Sequence, residues 1–400
     1  MRALTKPRLF MLINNKWLFF SSIMIILLLC PIISIFLASL EFNISIWNHL
    51  ISTKLSIYIS NTLILLLGVG CTSLLIGLST AWIIAKNNFP FSKIIEWALI
   101  LPLAIPAYIV AYCYTDFLEY SGPVQTLLRD IFNFQSSKDY NFPEIRSMGG
   151  AIFVISFVLY PYIYLISKIS FLSTPISLYE LAKIHGKSTF FHAGLPMARP
   201  AIVAGLSLVL METISDFGTV EFFAVETLTL GIFNLWLGMN DFAAASQVAL
   251  FSFTFVFVLL GIELSARKRK QFYDTQIKSI KYLKNNLNKS QSFLAITFCL
   301  IPIFFGFLIP VLILIEQCSS KLSEQNFLSL FEIATNTLII ASVSALIIVI
   351  ISTFLSITTK YKAEKNFKYF ATSAGVGYAF PGVMLALGTT YFFSSIQSFE

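Results

Sequence analysis

The chain has 400 residues, 57% hydrophobic and 12% charged, with a formal net charge of +7 and a mean hydropathy of +0.80. Soluble domains carry about 25% charged residues, so this composition excludes a cytosolic globular enzyme, a disordered chain and a small disulfide-stapled secreted domain. The positive charge does not point to nucleic acid, because membrane proteins concentrate basic residues in their cytoplasmic loops.

Nine apolar stretches are long enough to cross a bilayer: 18–40, 61–85, 94–118, 148–170, 200–217, 242–265, 292–315, 334–359 and 368–395. The first follows Arg2, Lys6, Arg8 and Lys16. It is longer than a signal-peptide core and lacks a small-x-small cleavage site, so it is retained as a helix. The second carries Gly68, Gly70 and Gly77, and the seven-residue spacing of the last two predicts close helix packing. Pro102, Pro106 and Pro161 predict kinks in the third and fourth, because proline lacks a backbone donor. With a cytoplasmic N-terminus, 22 of the 27 Lys and Arg fall on the cytoplasmic side, which fixes the orientation and leaves Glu400 outside. Cys30, Cys71, Cys113, Cys299 and Cys318 read as small apolar residues, and His49, His185 and His192 never pair at metal-ligand spacing. No metal ligand set is assigned.

An internal repeat organises these spans. Asn61-Thr62-Leu63-Ile64 opens the second and Asn336-Thr337-Leu338-Ile339 the eighth, 275 residues later. The same offset relates Pro106 to Pro381 and, to within one residue, the start of the first span to that of the seventh. The expected fold is therefore an all-α polytopic membrane protein with parallel repeats. Its parts are a cytoplasmic N-terminus (1–17), a six-helix domain (18–266), a basic linker (267–291) and the first three helices of a second half (292–400). A fragment, a split gene product and a disrupted gene all fit that incomplete second half.

Between the fourth and fifth spans lies a loop, 173–200, with a short amphipathic helix. Thr174 suits an N-cap, Pro175 the first helical position, and Gly186 a left-handed stop. Leu178, Leu181, Ala182 and His185 recur at helical spacing, and Leu195-Pro196 with Pro200 redirects the chain. Glu-x-Ala, then Gly four residues on, then Leu-Pro resembles the "EAA" loop of binding-protein-dependent ABC transporter permeases, six-helix (MetI-like) domains. The resemblance implies that this loop couples the permease to an ATP-hydrolysing subunit, with Glu180, Leu181, Ala182, Gly186, Leu195 and Pro196 at the motif positions. Two departures stand out: Leu181 replaces an alanine, and the ten residues from Gly186 to Pro196 are about three fewer than is usual in the family.

The stretch from Leu210 to Ile232, with Asp216-Phe217-Gly218-Thr219-Val220 and Thr227-Leu228-Thr229-Leu230-Gly231-Ile232, resembles the ferric-iron branch of these permeases, in which two halves are fused. Thiamine, phosphonate and polyamine permeases are the alternatives. Glu212 and Asp216, four residues apart near the outer end of the fifth span, are candidate pathway residues. A structural hydrogen-bond pair, or emergence into external water, is the competing reading. Residues 212–241 hold five carboxylates and no Lys or Arg; they read either as a field favouring a cationic solute or as the complement of the basic bias inside.

Gly186-Lys187-Ser188-Thr189 is not a phosphate loop, because Leu181 stands where that pattern needs glycine. The chain shows no catalytic motif, so it reads as a permease rather than an enzyme. It is expected to bind no cofactor, ATP being used by a partner. The resemblance implies a cytoplasmic ATP-binding dimer, an extracytoplasmic solute-binding protein, a second permease polypeptide completing the missing half, and the bacterial inner membrane. A secondary transporter is the rival class; it would work without an ATP-hydrolysing subunit.

Overall fold

A computed structural model describes residues 14–42, 44–268, 284–321, 327–361, 367, 371, 377 and 380–397. Helices dominate, as lipid demands: it offers backbone groups no hydrogen-bond partners, and a helix satisfies them internally. In chain order they are α1 (Asn14–Ala38), α2 (Ile44–Thr53), α3 (Leu55–Lys86), α4 (Ser92–Ala98), α5 (Ala107–Leu118), α6 (Pro123–Phe132), α7 (Met148–Ser173) and α8 (Ile176–Ile184). There follow α9 (Leu195–Ser215), α10 (Gly218–Phe222), α11 (Leu228–Phe233), α12 (Phe242–Lys268), α13 (Lys289–Ile303), α14 (Ile309–Lys321), α15 (Phe327–Tyr361) and α16 (Gly382–Gln397). Two short strands, β1 (Asn87–Asn88) and β2 (Asn285–Asn286), pair in parallel, Asn87 opposite Asn285 and Asn88 opposite Asn286.

Among the described residues, six helices are long and apolar enough to cross a membrane: Trp17–Ala38, Leu55–Lys86, Met148–Ser173, Phe190–Ser215, Lys289–Ser319 and Ser329–Lys360. A bent pair, Ser92–Ala104 with Ala107–Phe132, makes a seventh if counted as one span. The sixth predicted stretch falls on α12, whose apolar part is Phe242–Val258. The ninth lies partly outside the described residues; its described part is α16.

The third predicted stretch, 94–118, is not one rod. It bends by 89°, where Ile105 is extended (φ −114°, ψ 123°) ahead of Pro106. Proline forces its predecessor out of the helical region, so the break follows from sequence. Pro161, by contrast, lies within the continuous α7. Helix α4 is pinned to α7 by three contacts: the Tyr160 hydroxyl donates to the Leu99 carbonyl (2.9 Å), Tyr164 donates to the Glu96 carbonyl (2.9 Å), and Lys168 pairs with the Glu96 carboxylate (3.0 Å). The first two satisfy carbonyls that a helix end leaves without partners.

The centre of the bundle is α3, packed against α7 and α9. Its buried face runs through Leu65, Val69, Ser73, Gly77, Thr80, Ala81 and Ile84. A Cβ at Gly77 would lie 2.8 Å from the Tyr160 carbonyl oxygen, so the close approach of α3 to α7 requires glycine there. Cys113 and Cys299 are buried, as the sequence predicts, whereas Cys71 and Cys318 are exposed. Both lie in or beside apolar runs, and hydropathy alone does not say which face of a helix meets protein.

Candidate functional site

Helix α8 stands at the end of the bundle where α3 finishes and α7 gives way to α9. Pro175, not Thr174, occupies its N-cap position (φ −53°, ψ 135°). The Thr174 hydroxyl instead donates back to the Ser170 carbonyl (2.9 Å) in the last turn of α7. At the other end Gly186 adopts φ +65°. The Lys187 amide reaches the Ala182 carbonyl (2.9 Å) and the Gly186 amide the Lys183 carbonyl (3.0 Å), the paired closure of a Schellman stop.

The buried face differs from the predicted stripe. Tyr179 and Ala182 are buried, packed with Ala193, Trp82 and Leu178. Leu181 is 53% and Ile184 81% exposed, and Glu180, Lys183 and His185 are also exposed. Tyr179 takes the inward position because a cation waits beneath it. The Lys86 ammonium lies 3.3 Å from the centre of its ring, and donates to the Phe171 carbonyl (3.3 Å), which also accepts from the Tyr179 hydroxyl (3.1 Å). Lys86 is 2% exposed. A desolvated cation over an aromatic face is worth about 2 kcal/mol, and the Phe171 carbonyl accepts from both the ammonium and the ring hydroxyl. Trp82 completes the seat, edge-on to Phe171 (5.1 Å) and Phe190 (5.0 Å).

Of the motif residues, Leu181, Ala182 and Pro196 line one cavity of about 380 Å³, together with Leu178, Met197, His185, Lys187 and His192. Glu180 stands exposed on the same helix. Leu195 turns the other way, into the apolar cluster around Phe190 and Ile202. A single π turn, Phe190–Gly194, leads from the loop into α9. The result is a short exposed helix, seated through Tyr179 and Ala182, with an open and mainly apolar groove along the edge of that seat. Such a surface can receive a protruding or concave partner and pass its displacement inward.

Glu212 and Asp216 have different surroundings. Glu212 lies half-buried on α9. Asp216 follows the helix, and both its oxygens are engaged by Thr219: the amide at 2.7 Å and the hydroxyl at 2.8 Å. It shapes the turn into α10. Two other carboxylates of the acidic stretch also have partners within the protein. Glu226 pairs with Lys54 (2.6 Å), and Asp241 accepts the Ala244 amide (2.7 Å) at the start of α12.

Sequence reasoning passed over Tyr179, Lys86 and Trp82. Lys86 closes a long apolar run and Tyr179 stands three residues before Ala182, which are the sequence signals for those two; Trp82 has none.

The fold defines a polytopic membrane protein that carries a short, exposed helix between two spans. Residues 73–269 match the family described as binding-protein-dependent transport system inner membrane component, and the chain belongs to it; it is an ABC transporter permease subunit. It is 23% identical over 386 residues to the Fe(3+)-transport system permease protein FbpB 2 of Haemophilus influenzae, covering 94% of this chain and 71% of that protein. It is 24% identical over 210 residues to the molybdenum transport system permease protein ModB of the same organism, covering 50% of this chain and 88% of that one. A bacterial ABC transporter involved in the import of alginate superposes with a TM-score of 0.49 at 19% identity, over 66% of this chain and 100% of that one.

Proposed function

We propose that this permease moves ferric iron across the bacterial inner membrane, receiving it from an extracytoplasmic solute-binding protein. A separate cytoplasmic ATP-hydrolysing dimer drives it through the 173–200 loop. The observation that carries the reading is α8 itself: Leu181 and Ile184 stand clear of the bundle while Tyr179 and Ala182 anchor the opposite face. Basic segments that the sequence assigns to one side of the membrane also meet at this end, since Lys284 bonds to α3 (2.8 Å) beside Lys86. That supports a cytoplasmic N-terminus.

Support for iron comes from the relative that transports Fe(3+), which aligns over nearly the whole chain, against half for the molybdenum relative. Within the pathway, Glu212 offers a carboxylate to a hard cation, whereas Asp216 holds the turn that follows it. Uptake of ferric iron (as its citrate chelate), molybdate and 2-aminoethylphosphonate by cells with and without this chain tests the substrate. Iron uptake should fall on deletion and the other two should not. Loss of molybdate or phosphonate uptake with iron uptake intact would overturn the substrate assignment and leave the permease.

A further inference from the structure

We propose that the last turn of α3 is a mechanical junction that ties α8 to α13, so that displacement of α8 is handed across the chain rather than absorbed where it arises. The inference rests on reading α8 as the element that a motor moves. One side of the turn is the α8 seat: Lys86 lies under the Tyr179 ring, and Trp82 packs against Phe171 and Phe190. The other side is the segment that leads into α13. Lys284 donates to the Ile84 carbonyl (2.8 Å), near the C-terminal end of α3, where the helix dipole favours a cation.

Immediately after α3 the chain forms β1, which pairs with β2. The Asn88 side chain donates to that of Asn286 (3.1 Å), and the Leu287 amide donates to the Asn88 carbonyl (3.3 Å). Leu287 then packs into the cluster that holds Trp82, Ile84 and, from α13, Ala295 and Cys299. Helix α13 opens directly behind it, with Asn288 and Gln291 forming a capping box. From Tyr179 to α13 the path is continuous: ring, ammonium, helix turn, strand pair, capped helix. Packed contacts and rigid elements of this kind carry displacement, where a slack loop would dissipate it.

Lys86 and Lys284 are thus positioning residues on opposite faces of one turn, and coupling between their two sides is reciprocal. Amide hydrogen exchange on the full chain in lipid nanodiscs tests this without any ATP-hydrolysing subunit, so the junction and the permease reading can fail separately. Lys284→Met should speed exchange in residues 179–186 at least about fivefold, although the lost bond is to Ile84. Lys86→Met should do the same at 285–288, and Lys86→Arg should leave both segments as in the parent. Changes confined to each lysine's own side would overturn the proposal. If Lys86→Met fails to fold, Lys284→Met decides alone, because its side chain lies at the surface end of the junction and carries no part of the α8 seat.

Discussion

Helices α3 and α15 share an Asn-Thr-Leu-Ile run (61–64 and 336–339) and are both strongly apolar, yet they occupy opposite environments. Through α3, a buried stripe from Leu65 to Ile84 meets α7 and α9. In α15, residues such as Leu338, Ile339, Val343 and Ile347 are at least half exposed, and its main partner among the described residues is α1. Even there the contact is at one end: Trp17 stacks on Phe354 (4.9 Å) and Ser21 donates to Thr358 (3.1 Å). A membrane helix's apolar sequence commits it to the bilayer; its neighbours decide which residues become structural. Matched substitutions in the two helices should therefore have unequal effects.

The largest contrast is expected at the helix contact. Gly77→Leu meets a backbone carbonyl and should destabilise by about 3 kcal/mol. Ala345→Leu, on exposed α15, should leave the thermal unfolding midpoint of the purified chain where it is. Equal shifts would erase the distinction between the two helices.

Next come the paired threonines. The Thr62 hydroxyl donates to the Tyr58 carbonyl (2.7 Å) and accepts the Leu228 amide (3.0 Å) in a buried setting. Thr62→Val leaves that amide without a partner and should cost about 2 kcal/mol. Thr337 donates only within its own helix, to Ile333 (2.8 Å), and is exposed; Thr337→Val should be neutral in the same unfolding measurement.

The neighbouring asparagines give a smaller difference. Asn61 donates to the Glu226 carbonyl (3.0 Å), so Asn61→Ala should cost about 1 kcal/mol, while Asn336→Ala at an exposed site costs nothing measurable.

The smallest effect concerns Lys54, at the foot of α3. Its hydrogen bond to Glu226 raises its pKa above the ordinary lysine value. A raised folded-state value means the contribution is complete below the unfolded lysine range and is lost as pH rises through the folded one. Glu226→Gln should therefore lie slightly below the parent in stability from neutral to mildly alkaline pH, and converge with it only in strong alkali. Both groups are partly exposed to solvent, so screening keeps the gap small.

Much of the fold was legible in the sequence. Apolar length located the spans, Pro106 marked the break in the third, and Gly186 marked the stop of α8. Less legible was which side of α8 faces inward. Hydrophobicity ranks Leu181 and Ile184 above Tyr179, but the buried Lys86 selects an aromatic ring over an aliphatic chain, and Lys86 lies 93 residues earlier in the sequence. Asp216 shows the same limit. Its spacing from Glu212 suggested a shared helix face, yet the helix ends at Ser215 and the carboxylate turns to Thr219. A partner three residues away outcompeted the periodic one.

The central claim is that α8 is the surface on which the ATP-hydrolysing partner acts. Cysteine placed at Ile184, crosslinked in inner-membrane vesicles from cells expressing the whole system, tests it most directly. The account predicts a product joining this chain to a nucleotide-hydrolysing subunit, formed from the cytoplasmic face and altered in yield by ATP. A cysteine there that reacts only with reagents added outside the cell, and never joins such a subunit, would contradict it.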